Sequence, residues 1–251
     1  RPGGREKSMD ARAFIGEKSR RMQQRRKNLE SRMEKNIQEK SALLKNIDQN
    51  EALKLFPLSH PGGVIASLRH VSLGYDPSHP LIQGLSFTIR NGDILALTGK
   101  NGCGKSTVLR MLAGDMPPLS GEVYRASGLI VSVVPQQAAL SGPLRDFIQQ
   151  SGVDETLFKT ILRKLDFSRE QFEKDMSAYS AGQQKKVLIA RSLCQQAHLY
   201  LWDEPLNFID VLSRMQIAQL IAQFHPTMVL VEHDKAFIQQ LSTQIIALDC
   251  K

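Results

Sequence analysis

Eight residues, Gly99-Lys100-Asn101-Gly102-Cys103-Gly104-Lys105-Ser106, constrain this chain more than any other stretch. They carry the spacing G-x-x-x-x-G-K-S, preceded by an apolar run (Asp93–Thr98, D-I-L-A-L-T) and followed by a helical pattern, Thr107–Ala113. The glycines let backbone N–H groups curl around phosphate oxygens, and the following helix adds the partial positive charge of its N-terminus. Lys105 is placed to neutralise β- and γ-phosphate oxygens, and Ser106 to reach Mg²⁺. A strand–turn–helix unit of this kind belongs to an α/β architecture. It predicts that residues Gly99 to Thr107 bind a nucleoside triphosphate.

A second apolar strand, Leu199-Tyr200-Leu201-Trp202, runs into Asp203 and Glu204. Adjacent carboxylates are common on surfaces, but at the tip of a buried strand they suit two tasks. Asp203 can hold Mg²⁺ through water, and Glu204 can polarise an attacking water. His233 follows the run Thr227–Val231, where it can sense a terminal phosphate, and Gln136 follows Leu129–Val134. A further cradle lies at Tyr179-Ser180-Ala181-Gly182-Gln183-Gln184-Lys185-Lys186, where Ser and Gly open a helix. Two separate phosphate cradles in one chain suggest that the second serves a nucleotide held by another domain.

The rest of the chain fits around these motifs. Val64–Leu73 and Leu81–Arg90 read as strands, with further short strands at Gly121–Arg125 and Leu129–Val134. A helical stretch is expected over Leu144–Phe172, then helix Gln183–Cys194, strand His198–Trp202, helix Val211–Gln223, strand Thr227–Val231, helix Lys235–Leu241 and strand Gln244–Leu248. Apolar strands alternating with helices indicate a parallel sheet covered on both faces. Upstream, residues from about Glu17 to Leu55 contain neither proline nor glycine, and Met22, Leu29, Met33, Ile37, Leu44 and Ile47 form a thin helical stripe. A helix of that length spans ~55–60 Å, and its narrow stripe can zip against one partner helix but cannot make a core.

Of the formal charge of +8, most lies upstream: residues 1–54 hold 15 Lys+Arg against 8 Asp+Glu. Such an arm is either a solvated helix or a contact for phosphate backbone. The break at Pro57 and His60-Pro61-Gly62-Gly63 divides the chain into an arm, 1–60, and a globular part, 61–251. No apolar run approaches the ~18–20 residues of a membrane span, and no secretory leader is visible. Three scattered cysteines, Cys103, Cys194 and Cys250, read as reduced thiols. The chain begins at Arg1, which points to a piece of a longer protein.

Taken in order, the P-loop, Gln136, Ser180-Ala181-Gly182-Gln183, Asp203-Glu204, Asn207-Phe208-Ile209-Asp210 and His233 resemble an ABC ATPase domain over residues ~64–248. The resemblance implies an α/β fold with a parallel core sheet, helices on both faces and an antiparallel β subdomain, here preceded by a long basic α-helix. It also implies an ATPase using ATP and Mg²⁺. Tyr75 stands where the family stacks adenine; Ser106, Gln136 and Asp203 would serve Mg²⁺, Glu204 would be the base, and His233 the γ-phosphate sensor. Ser180, Ala181, Gly182 and Gln183 would cap ATP held by a second ABC domain. Ala181 replaces the family's usual glycine, and its methyl group predicts a weaker contact.

Within that superfamily the chain is similar to the ABC-F group, in which two ATPase domains are joined by a long charged helical hairpin. The basic helix upstream, the compact stretch between Lys105 and Ser180, and the run Asp203-Glu204-Pro205-Leu206-Asn207-Phe208-Ile209-Asp210-Val211 carry this likeness, the last to its Vga/Lsa-type antibiotic-resistance branch. It implies a cytoplasmic protein that protects the ribosome from lincosamide, streptogramin A or pleuromutilin drugs, with the basic arm contacting rRNA and tRNA and with no membrane partner. Two alternatives are a housekeeping ABC-F translation factor and the nucleotide-binding subunit of a membrane transporter. A chromosome-maintenance ATPase would need far more chain between Lys105 and Ser180.

Overall fold

The computed structural model describes Leu55 and residues 57–248. The expected arm helix therefore lies, apart from Leu55, outside the described residues, as does Cys250.

In chain order, β1 (Val64–Leu73), β2 (Ile82–Arg90) and β3 (Ile94–Thr98) lead into α1 (Lys105–Ala113), β4 (Ser120–Arg125) and β5 (Val131–Val134). Helices α2 (Leu144–Ser151), α3 (Glu155–Lys164) and α4 (Ala181–Cys194) follow, then β6 (Leu199–Asp203), α5 (Val211–Phe224), β7 (Met228–Val231), α6 (Lys235–Leu241) and β8 (Gln244–Ala247). Strands β2-β1-β4 form an antiparallel sheet, and β5-β6-β7-β3-β8 form the second sheet, parallel throughout. Every residue of β6 and β7 is buried. Continuous burial is the mark of a parallel strand covered on both faces.

The alternation of side chains divides the core accordingly. Ile94, Ala96, Tyr200, Trp202, Met228 and Leu230 face one apolar cluster, shared with α2–α6. Leu95, Leu97, Leu199, Leu201, Val229 and Val231 face the other, shared with α1 and the antiparallel sheet. Trp202, Ser192 and Ser132 pair their polar groups within the first layer: the Trp202 Nε1–H donates to Ser192 Oγ at 2.8 Å, and Ser132 Oγ contacts Ser192 Oγ at 2.7 Å.

The helical stretch expected over Leu144–Phe172 is three elements. Gly152, left-handed at φ 64°, ends α2, and Asp154 starts α3 by accepting from Leu157 N at 2.7 Å. After the turn at Asp166, also left-handed, only a 3₁₀ segment, Arg169–Glu173, remains. The apolar spacing carries over these breaks, which is why the periodicity reads as one helix.

Because the strands are parallel, β3, β5, β6 and β7 deliver their C-terminal residues to one edge of the sheet. That edge receives the P-loop, Gln136, Asp203-Glu204 and Glu232-His233 together, the place where open α/β sheets bind ligands.

Candidate functional site

The P-loop owes its shape to three left-handed glycines, Gly99 (φ 147°), Gly102 (φ 81°) and Gly104 (φ 93°). A Cβ on Gly99 would lie 2.6 Å from the Leu248 carbonyl oxygen, and one on Gly104 2.9 Å from Ile82 Cδ1. Cys103 is buried in the turn, whereas Lys100, Asn101, Gly102 and Ser106 are exposed along its rim and Thr107 is buried behind it. Lys105 is only 7% exposed, and its Nζ donates to the carbonyls of Gly99 and Lys100, both at 3.0 Å. The loop thus holds an ammonium group behind a ring of backbone amides.

Asp203, at the tip of β6, is also 7% exposed. Burial pushes its carboxyl above the ordinary range and Glu204 adds to this; the hydrogen bond from Ser106 and the charges of Lys185 and Lys105 oppose the rise. Its Oδ1 is buried without a hydrogen-bond partner. An ionisable oxygen left unpaired beside a serine hydroxyl is a donor set suited to Mg²⁺, which takes hard oxygen ligands and often only one or two from protein. Among the described residues no cluster of three His, Cys, Asp or Glu could hold a metal by itself, so phosphate oxygens would have to complete such a shell. Ser106 and Asp203 fit that ion.

Glu204 has left-handed backbone, φ 46°, an uncommon conformation for a residue with a side chain. Its N–H donates to the Val231 carbonyl at 2.9 Å, locking it beside β7. His233 Nε2 lies 3.3 Å from Glu204 Oε1, and Asn207 Nδ2 donates to Oε2 at 2.5 Å. Burial pushes this carboxyl up, but hydrogen bonds from Gln136, His233 and Asn207 outweigh it, and the net direction is down. Glu204 is therefore an anion at neutral pH with both oxygens oriented. Gln136, assigned by the resemblance to Mg²⁺, hydrogen-bonds Glu204 here.

Three further residues gain a role at the site from the fold. Lys185 is buried and its Nζ donates to the carbonyls of Pro135 (2.9 Å) and Gln136 (2.8 Å), pinning the Gln136 turn from 49 residues away. Burial lowers its pKa, while Asp203, Glu204 and Glu232 raise it. Glu232 is buried and accepts from Leu206 N at 2.8 Å and His233 N at 2.9 Å, so it fixes the loop after Glu204 and the His233 backbone at once. Asn207, three residues beyond Glu204, could have been found as a short-range partner; Lys185 and Glu232 carry no local signal.

The second cradle opens α4. Ser180 Oγ accepts from Gln183 N at 3.3 Å, and Gln183 Oε1 accepts from Ser180 N at 2.9 Å, a capping box. These bonds stay within the turn and do not reach Lys105 or Glu204. Ala181 is exposed. A Cβ on Gly182 would lie 2.4 Å from the Phe208 carbonyl oxygen, which packs this turn against the Asn207–Asp210 loop. Lys186 Nζ reaches Asp210 Oδ2 at 2.7 Å across the same junction. Tyr75 stands apart from this group, 68% exposed, with its hydroxyl accepting from Arg110 Nη1 at 3.4 Å.

Among the described residues no helix is long and apolar enough to cross a membrane. The ABC transporter family profile matches residues 82–207, half of the chain. The ATP-binding protein Uup of Caulobacter vibrioides is 32% identical over 181 residues, 68% of this chain and 30% of that protein. The ABC transporter F family member 2 of Arabidopsis thaliana is 25% identical over 225 residues, 86% of this chain and 33% of its own length. The chain thus spans about a third of these relatives. Among solved structures, the ATP binding subunit of an ABC transporter matches with a TM-score of 0.65 at 22% identity, over 73% of this chain and 85% of that one. On the match over residues 82–207 the chain belongs to the ABC transporter family, and its fold is that of an ABC transporter's ATP binding subunit.

Proposed function

We propose that this chain is the C-terminal half of an ABC-F protein, an arm over 1–60 and an ATPase domain over 61–251, that works on the ribosome and shields it from antibiotics. The observation that carries the ATPase part is the convergence of Lys105, Ser106, Asp203, Glu204 and His233 at one sheet edge. The likeness to an ABC transporter F family member, the +7 excess of residues 1–54 and the run Leu206-Asn207-Phe208 favour the ribosomal reading. On this reading the protein is cytoplasmic, and its basic arm meets rRNA and tRNA through phosphate contacts.

Residues Gly99–Thr107 hold the triphosphate through backbone amides and Lys105, with adenine stacked on the exposed Tyr75. Ser106 and Asp203 hold Mg²⁺, which when bound supplies Lewis-acid polarisation of the phosphate oxygens. Glu204 accepts a proton from the water whose oxygen attacks the γ-phosphorus, as the bond to the β–γ bridging oxygen breaks. Asn207 and His233 keep the carboxylate aimed, and Gln136 ties it to the turn that Lys185 pins. His233 also faces the γ-phosphate from the tip of β7. Ser180, Ala181, Gly182 and Gln183 complete the site of a second ABC domain.

The test is co-sedimentation of the full-length parent carrying Glu204→Gln with 70S ribosomes, with ATP, over a salt series. The amide keeps the shape and removes the base, so the ATP-bound state accumulates. Pelleting that requires ATP and weakens with salt is expected. Recovery on membranes without ribosomes would reject the reading and favour a transporter subunit, the assignment that the likeness to an ABC transporter's ATP binding subunit would then support.

A further inference from the structure

A cavity of about 400 Å³ lies between the P-loop and the segment that follows Tyr75. One wall is Ser78, His79, Leu81 and Gln83; the other is Gly102 and Cys103 of the P-loop itself. If the P-loop holds the phosphates and Tyr75 the base, the sugar of the nucleotide must sit between them, against the 78–83 wall. Ser78, His79 and Gln83 bring polar groups to that wall beside the apolar Pro80 and Leu81, and its turn is held in shape. Asp76 Oδ1 accepts from Ser78 N at 2.9 Å, the Asp76 carbonyl accepts from His79 N at 3.0 Å, and Asp76 Oδ2 meets His79 Nδ1 at 2.9 Å. Pro77 and Pro80 restrict the backbone on either side.

The hydrogen bond to His79 holds the Asp76 carboxyl below its ordinary range, so the acceptor is an anion and Nδ1 carries the hydrogen. In neutral imidazole the other nitrogen, Nε2, is then an acceptor. The His79 side chain is 86% exposed, which leaves this nitrogen open to a ligand. A ring oriented by a carboxylate, with an open acceptor on a residue that lines this cavity, matches the hydroxyl donors of ribose.

We propose that Asp76 and His79 form a ribose-reading pair, in which His79 Nε2 accepts a hydrogen bond from a ribose hydroxyl and favours ribonucleoside over deoxyribonucleoside triphosphates. The inference rests on the ATP reading above. His79 is a specificity-determining residue and Asp76 its positioning partner.

Titration calorimetry of the full chain with Mg-ATP, Mg-2′-deoxy-ATP and Mg-3′-deoxy-ATP tests it. One partly exposed hydrogen bond corresponds to a loss of about three- to ten-fold in affinity for the analogue lacking the hydroxyl concerned. His79→Phe keeps a ring without nitrogen and brings all three ligands to the weaker affinity. Asp76→Ala, which leaves the ring but frees it, reduces the discrimination partway. Equal binding of the three nucleotides by the unaltered chain, or discrimination that survives His79→Phe, would overturn the proposal while leaving the ATP reading intact. A chain that binds none of the three overturns the ATP reading, and the ribose pair with it.

Discussion

Asp203 has one oxygen bonded to Ser106 and the other buried with no partner, which makes it a ligand in waiting and a burden on the fold. An unpaired buried polar atom costs about 1–3 kcal/mol, more when charged. The sign with pH follows from its raised pKa. As pH climbs from the ordinary 3.8 towards the folded value, the unfolded chain releases its proton first. Stability falls across that window and stays lower above it. Asp203→Asn, measured at pH 7 without nucleotide, is therefore expected to raise Tm by about 2–4 °C, the shift of ~1 kcal/mol in a chain of this size. The same substitution should remove the dependence of ATP affinity on Mg²⁺; a lower Tm with Mg²⁺ dependence retained would refute both halves. Asp203 was legible because strand and carboxylate are neighbours in sequence. Lys185 was not: its burial and its bonds to Pro135 and Gln136 arise only when α4 packs on β5.

At the scale of elements, α4 joins the site to the core. Its first turn carries the capping box, its second holds Lys185 and Lys186 against two separate loops, and its last holds Ser192 beneath β6. Ser192→Ala leaves the Trp202 indole N–H unpaired inside the first apolar layer. The expected cost is ~1–3 kcal/mol, read as a lower urea midpoint with unchanged slope, and with no change in ATP affinity. In a Trp202→Phe background the donor is gone, so most of that cost should vanish; an undiminished cost would assign it to packing. The strands were readable almost to their ends, since continuous apolar runs such as those of β3, β6 and β7 have few other solutions in an α/β chain. The 144–172 region was not, because Phe147, Phe158, Ile161 and Phe172 keep a helical beat across breaks set by Gly152 and Asp166. There, backbone conformation overrode periodicity.

For the whole molecule, the two phosphate cradles differ in how they are completed. The P-loop meets Asp203 within this chain, while the Ser180–Gln183 turn satisfies its own capping bonds and is exposed at Ser180 and Ala181. Close by, the loop packed on Gly182 presents Phe208, 77% exposed in a left-handed conformation, and α5 presents Val211 and Met215. Apolar side chains displayed together suit a partner surface. If each complete site needs a signature turn from a second domain, the chain alone should bind ATP but turn it over only when two copies meet. Well below the dissociation constant, mass action makes the rate per chain rise about tenfold for each tenfold rise in concentration. Phe208→Asp places a charge in that contact and should lower the rate per chain at every concentration, moving the rise to higher concentration, without altering ATP affinity. Steady-state phosphate release measured over a dilution series decides the matter, since a rate per chain that ignores concentration would mean that one domain completes its own site.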